Sequence, residues 1–230
     1  MHVFILTNEC LFVQTAFLHL GTKWVLSVHS FKKGVLMLGR ISLIVTVLGA
    51  IPYIVSIFRT DVRPERTTWG IWTVVLVLAV ISYRAAGAGD SIWFLVGDLF
   101  ITGVIFVISL FRGVGGWSKV DIASITVALM GLVIWQTSHS PVCQMIGTLT
   151  ADMVAIVPTL KKSLEDPMND SPVIFATGSI AALLGVFSVG EWNIILLFYP
   201  AHLYTANFLT AVVIGTGRYY AKRTLIKGVI

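Results

Sequence analysis

Seven continuous apolar stretches, each about 15 to 24 residues long, recur along the chain and limit what it can fold into more than any other feature. They run 41–58, 67–86, 91–111, 120–138, 142–160, 172–189 and 192–215. As helices rising 1.5 Å per residue, each crosses a hydrocarbon core of about 30 Å. None shows the period-two alternation of a barrel strand, so helices are expected throughout. The predicted class is an all-α membrane protein of seven spans, of which the fourth is the weakest. Apolar residues make up 57% of the chain and charged residues 12%, roughly half the soluble share of about 25%, which excludes a soluble domain of this size.

The charges are placed as well as scarce. The loops after the first, third and fifth spans, with the C-terminal tail, carry Arg59, Arg63, Arg66, Arg112, Lys119, Lys161, Lys162, Arg218, Lys222, Arg223 and Lys227. The opposite side carries Lys23, Lys32, Lys33, Arg40 and Arg84. Cationic side chains are retained on the cytoplasmic face, so the N-terminus is expected outside and the C-terminus in the cytoplasm, most simply of a bacterial inner membrane. Short basic clusters between apolar runs are a membrane-surface pattern, and no nucleic-acid partner is expected. The partners are the bilayer and a small polar solute, with protons and a homo-oligomer left open. Residues 1–36 read equally as an eighth span, an interfacial helix or an extension from an upstream start, since Met37 directly precedes the first good span and no basic region precedes the apolar part.

Cys10 and Cys143 stand far apart without a metal-ligand neighbour, so no metal, cofactor or disulfide is expected. Gly113 to Gly116 follows no strand and lacks a Lys-Ser/Thr pair, so it is no phosphate loop. No Ser-His-Asp order, paired helix histidines or Cys nucleophile with a base can be assembled from the spans. The chain is not expected to be an enzyme.

Self-similarity appears at a shift of 103 to 104 positions. The charged loop Arg59 to Pro64 falls on Lys162 to Pro167, and Phe94, Asp98, Leu99 and Phe100 fall on Phe198, His202, Leu203 and Tyr204. Three spans would invert the second copy unless one crossing intervened, and the fourth span supplies it. With this repeat, the motif Gly49-Ala-Ile-Pro-Tyr-Ile54, the pair Arg63-Pro64 and the run Trp69-Gly-Ile-Trp72 resemble the SWEET and PQ-loop superfamily, specifically a group of uncharacterised bacterial seven-span relatives. The resemblance covers residues 39–215. It implies two parallel three-helix bundles joined by a linker helix, in a 3+1+3 plan: residues 37–115 the first repeat, 116–138 the linker, 139–216 the second repeat and 217–230 a basic cytoplasmic tail. It also implies transport of a small polar solute, a sugar or amino acid among them, by alternating access. The same fold serves as a receptor elsewhere, so a non-transporting receptor or assembly subunit is the alternative. The Pro-Gln pair that names the family is Pro52-Tyr53 in one copy and Pro158-Thr159 in the other.

Ionisable groups inside a bilayer cost about 2.5 to 3.5 kcal/mol on insertion scales, which marks Asp98, Asp152 and His202 as functional candidates. All three sit roughly 10 to 15 Å from the outer surface at the helical rise. As repeat equivalents, Asp98 and His202 are expected on opposite walls of one path, exchanging a proton with solute or else pairing as a structural lock. Hydrogen bonding to Thr148 or Thr150 is the plain alternative for Asp152. The resemblance implies an Asn on the third helix of each repeat. Asn207 matches it in the second copy, and Gly103 stands at the related place in the first. Pro52 and Pro158 are expected hinges. Trp69, Trp72, Trp93, Trp117 and Trp192 are expected at the membrane interface, with Trp72 singled out as a stacking surface.

Overall fold

The computed structural model describes residues 37–85, 87–138, 141–190 and 193–228. They form α1 (Met37–Arg59), α2 (Arg66–Ala85), α3 (Ile92–Arg112), α4 (Lys119–Thr137), α5 (Pro141–Glu165), α6 (Pro172–Ser188) and α7 (Ile194–Gly228), with a 3-10 turn at Pro167–Asn169. No strand occurs among the described residues beyond one isolated bridge between Glu65 and Val114. The expectations for residues 1–36 and for Trp192 lie outside the described residues.

Four helices, α1, α2, α3 and α7, are long and apolar enough to cross a membrane, while α6 is apolar but has 17 residues. The outward faces agree with that. Ile44, Leu48, Phe100, Val107, Leu129, Val133, Phe187 and Leu209 are each more than half exposed. Water would not tolerate so continuous an apolar surface, and lipid does. The chain is a membrane protein, helical throughout its described spans.

Local sequence explains several boundaries. Ser118 caps α4 by accepting from the Asp121 amide, while Asp121 accepts from the Ser118 amide, a reciprocal capping box. Ser171 caps α6 and Pro172 occupies its first turn, where the missing N–H has no partner to lose. The seventh helix departs from expectation. Instead of ending near Gly215 before a tail, it continues through Arg218, Lys222 and Arg223 to Gly228, because good helix formers follow Gly217 and no proline interrupts them. Its 35 residues reach about 50 Å, well beyond one hydrocarbon core.

Six helices close a ring. α1 packs on α3, where a β-carbon at Gly97 would lie 3.0 Å from Leu43, and on α6, where Ser42 Oγ donates to the Ala181 carbonyl at 2.7 Å. From α3 the contacts run to α2, then to α5, α7 and back to α6. α4 packs outside the ring, mainly on α5, with Gly131 allowing the close approach of the Gly147 carbonyl. Several contacts cross the ring, among them Phe94 of α3 against Gly185 of α6, and the Tyr83 hydroxyl of α2, which donates to the Leu196 carbonyl of α7.

The loops rich in cations meet at one end. Lys162 pairs with Asp170 at 2.7 Å and donates to the Arg63 carbonyl, while Arg218 of α7 donates to the Met168 and Asp170 carbonyls. Arg66 donates to the carbonyls of Ser109, Gly113 and Gly115. These bonds tie the α1–α2, α3–α4 and α5–α6 connections to one another and to α7.

Candidate functional site

A cavity of about 50 Å³, room for a few water molecules, lies inside the ring. All six ring helices line it. Its apolar walls come from two buried clusters, Trp69, Ile101 and Phe175 belonging to the one nearer the basic loops, Leu76 and Leu203 to the other. Between them stand the polar groups: Thr46 of α1, Asp98 and Thr102 of α3, Asp152 of α5, Thr177 of α6 and Asn207 of α7.

Four residues expected from the sequence therefore meet here: Asp98, Asp152, Asn207 and Trp72. His202 is placed differently. It does not line the cavity and does not pair with Asp98. Its Nε2 lies 2.8 Å from Asp152 Oδ2, so it holds that carboxylate from behind. Asp152 is thus satisfied across helices by His202, while the neighbouring Thr150 hydroxyl bonds back to Ile146 of its own helix. Asp98 has no hydrogen-bond donor or cation on its carboxylate among the described residues.

Three aromatic rings form one wall. Trp69 and Trp72 meet edge to face at 5.4 Å, and Phe175 lies 6.5 Å from Trp69 and 6.2 Å from Trp72. Trp72 also donates its indole N–H to the Asp152 carbonyl at 3.2 Å, fixing the ring against α5. Trp69 corrects the expectation of an interfacial anchor: it is buried among Tyr53, Trp72 and Phe175, because it falls on the ring-facing side of α2. Trp93 and Trp117 do lie exposed.

Lining positions recur at a fixed interval. Thr102 and Asn207, Ile101 and Ala206, Asp98 and Leu203, Trp69 and Ile174, and Trp72 and Thr177 are all 105 positions apart. The sequence alone suggested 103 to 104, which set Asp98 against His202 and Gly103 against Asn207. At 105 the partner of Asp98 is Leu203, that of His202 is Gly97, and Thr102 takes the place assigned to Gly103. Thr46, Thr102 and Trp69 were missed by sequence reasoning, and the one-residue longer interval was the signal that finds Thr102.

Among the prolines, Pro158 is buried within α5, whereas Pro52 lies on the exposed face of α1. Pro200 interrupts α7 and is buried directly above His202 in the chain. Tyr199, on the same turn, buries its hydroxyl without a hydrogen-bond partner. Groups of three or more metal-ligating side chains are absent among the described residues.

No protein family, curated protein or solved structure matches the chain.

Proposed function

We propose that the chain is a membrane transporter for a small polar solute, built as two parallel three-helix bundles joined by α4 in the SWEET-like plan and working by alternating access. The observation that carries this is the cavity itself: polar groups from five of the six ring helices converge on a space enclosed by apolar clusters at both ends. A structural protein gains nothing from burying an uncompensated carboxylate such as Asp98, whose cost needs a function to offset it. The contact order supports the repeat. Exchanging α1, α2 and α3 for α5, α6 and α7 turns every ring contact into another ring contact, and the 105-residue interval supports the same exchange. Seven spans then put the basic loops together on the cytoplasmic side of a bacterial inner membrane.

Rocking of the two bundles would open the α1–α6 and α2–α5 seams alternately at the two ends, around a fixed cavity. Counterflow in proteoliposomes tests it. Vesicles loaded with unlabelled solute and challenged with labelled sugars, amino acids or amines should show transient accumulation of one of them. Saturable binding with no flux for any binder favours the receptor alternative.

A further inference from the structure

The chemistry of the cavity specifies its solute more narrowly than polarity does. We infer that the cavity takes a small organic cation, an amine or quaternary ammonium, in exchange for a proton on Asp98, an assignment that rests on the transport reading.

The two carboxylates of the cavity are not equivalent. Asp152 is held by His202 at 2.8 Å and fixed further by the backbone bond to Trp72. Asp98 faces the same space with no donor and no cation among the described residues. An isolated carboxylate in a water-poor site is stable only when neutralised, by a proton or by a cation brought to it. The wall beside it supplies the second half of a cation site. Trp69, Trp72 and Phe175 pack mutually within 6.5 Å, and all three line the cavity. Aromatic faces attract desolvated cations by their quadrupole, most strongly for tryptophan, whereas a neutral solute such as a sugar gains only stacking. Asn207 and Thr102 leave acceptors for the N–H or hydroxyl groups of such a solute.

The groups facing Asp98 allow one charge at a time. α5 contributes Asp152, α7 contributes His202 behind it and Tyr199, whose hydroxyl is buried without a hydrogen-bond partner, and α2 contributes Tyr83 further out. The lining residues of α1 and α6 are neutral. Asp152 already holds His202 at 2.8 Å, so the carboxylate without a partner among the described residues is that of Asp98, and one proton or one monocation neutralises it. Both cannot occupy the same carboxylate, so arrival of the cation sends the proton to water on the side to which the cavity is open. That exclusion couples the two fluxes in opposite directions.

The test uses the purified full chain in detergent and two isosteric pairs, choline with 3,3-dimethylbutan-1-ol and benzylamine with benzyl alcohol. At least one cation should raise the unfolding temperature while its neutral isostere does not, and addition of that cation to weakly buffered protein near neutral pH should release protons, up to one per site. Asp98→Asn should abolish both effects, Asp98→Glu should retain them, and Trp72→Leu should weaken binding about tenfold. Equal stabilisation by a neutral isostere, retention of cation binding in Asp98→Asn, or no effect of either cation would overturn the inference. Counterflow separates it from the transport reading: flux of a neutral solute without cation binding leaves transport standing and removes the cation, and cation binding without flux does the reverse.

Discussion

His202 Nε2 and Asp152 Oδ2 lie 2.8 Å apart between α7 and α5, and both side chains are largely buried. The pair fastens two neighbouring ring helices beside the cavity where Asp98 has no partner among the described residues. It divides the ionisable groups of the ring into a paired set and a single carboxylate.

The first prediction comes from that division. Removing one member of a buried pair strands the other at a cost of about 3 to 5 kcal/mol, so His202→Ala should lower thermal stability sharply in detergent. Asp152→Asn should recover part of the loss, while Asp98→Asn combined with His202→Ala should give nearly additive effects. A double-mutant cycle that couples His202 to Asp98 more strongly than to Asp152 would contradict the structure.

Glu65 predicts a pH dependence. It precedes α2, accepts from the Thr68 amide at 2.7 Å through Oε2, and buries Oε1 without a partner. Burial foremost, and the nearby Asp121 charge in addition, raise its carboxyl above the usual range, against the opposing bond from Thr68. The folded state therefore holds this proton more tightly than the unfolded state, and stability falls as pH rises from the ordinary carboxylate range through the raised value. Glu65→Gln should flatten that slope in thermal unfolding followed across pH. An unchanged slope would show that another group titrates.

At the basic end, Asp170 is 2% exposed at its side chain and Lys162 11%, whereas Lys161 and Glu165 pair at 3.8 Å largely in solvent. Asp170→Ala should cost about 3 kcal/mol or more, and Glu165→Ala under about 1 kcal/mol. Similar losses from both would mean that the Lys162–Asp170 pair does not tie the α5–α6 connection to its neighbours as described.

Topology gives a fourth expectation. A reporter fused after Ile230 should be active in its cytoplasmic form and inactive in its periplasmic form, since the proposed orientation puts the basic end of α7 in the cytoplasm. The opposite pattern would reverse the proposed orientation.

Much of the helical arrangement was legible because apolar runs of this length leave a chain few choices, and the boundaries of α2 to α6 fall within a few residues of the runs that predict them. The inward placement of Asp98, Asp152 and Asn207 was legible for the same reason: polar groups that deep must face other helices. What the sequence hid was rotation and register. A shift of one residue moves a helical side chain by about 100°, so the repeat interval of 103 to 104 put His202 opposite Asp98 when it belongs behind Asp152. Trp69 hid similarly, because a tryptophan near a span end suits an interface as well as a core, and only packing against Tyr53 and Phe175 decides between them. The long extension of α7 was invisible because its polar surface lacks the apolar signal that marks the spans.

The central claim is that one cavity faces both sides of the membrane in turn, and cysteine accessibility at Asn207 tests it without knowledge of the solute. In a background with Cys10→Ser and Cys143→Ser, Asn207→Cys is exposed to a membrane-impermeant thiol reagent in right-side-out and in inside-out vesicles. Alternating access predicts modification from both sides, with Phe208→Cys on the lipid-facing surface of the same helix inert to the reagent from either. Modification of Asn207→Cys from one side alone, in vesicles of both orientations and at every pH tried, would contradict alternating access and leave a one-sided binding protein.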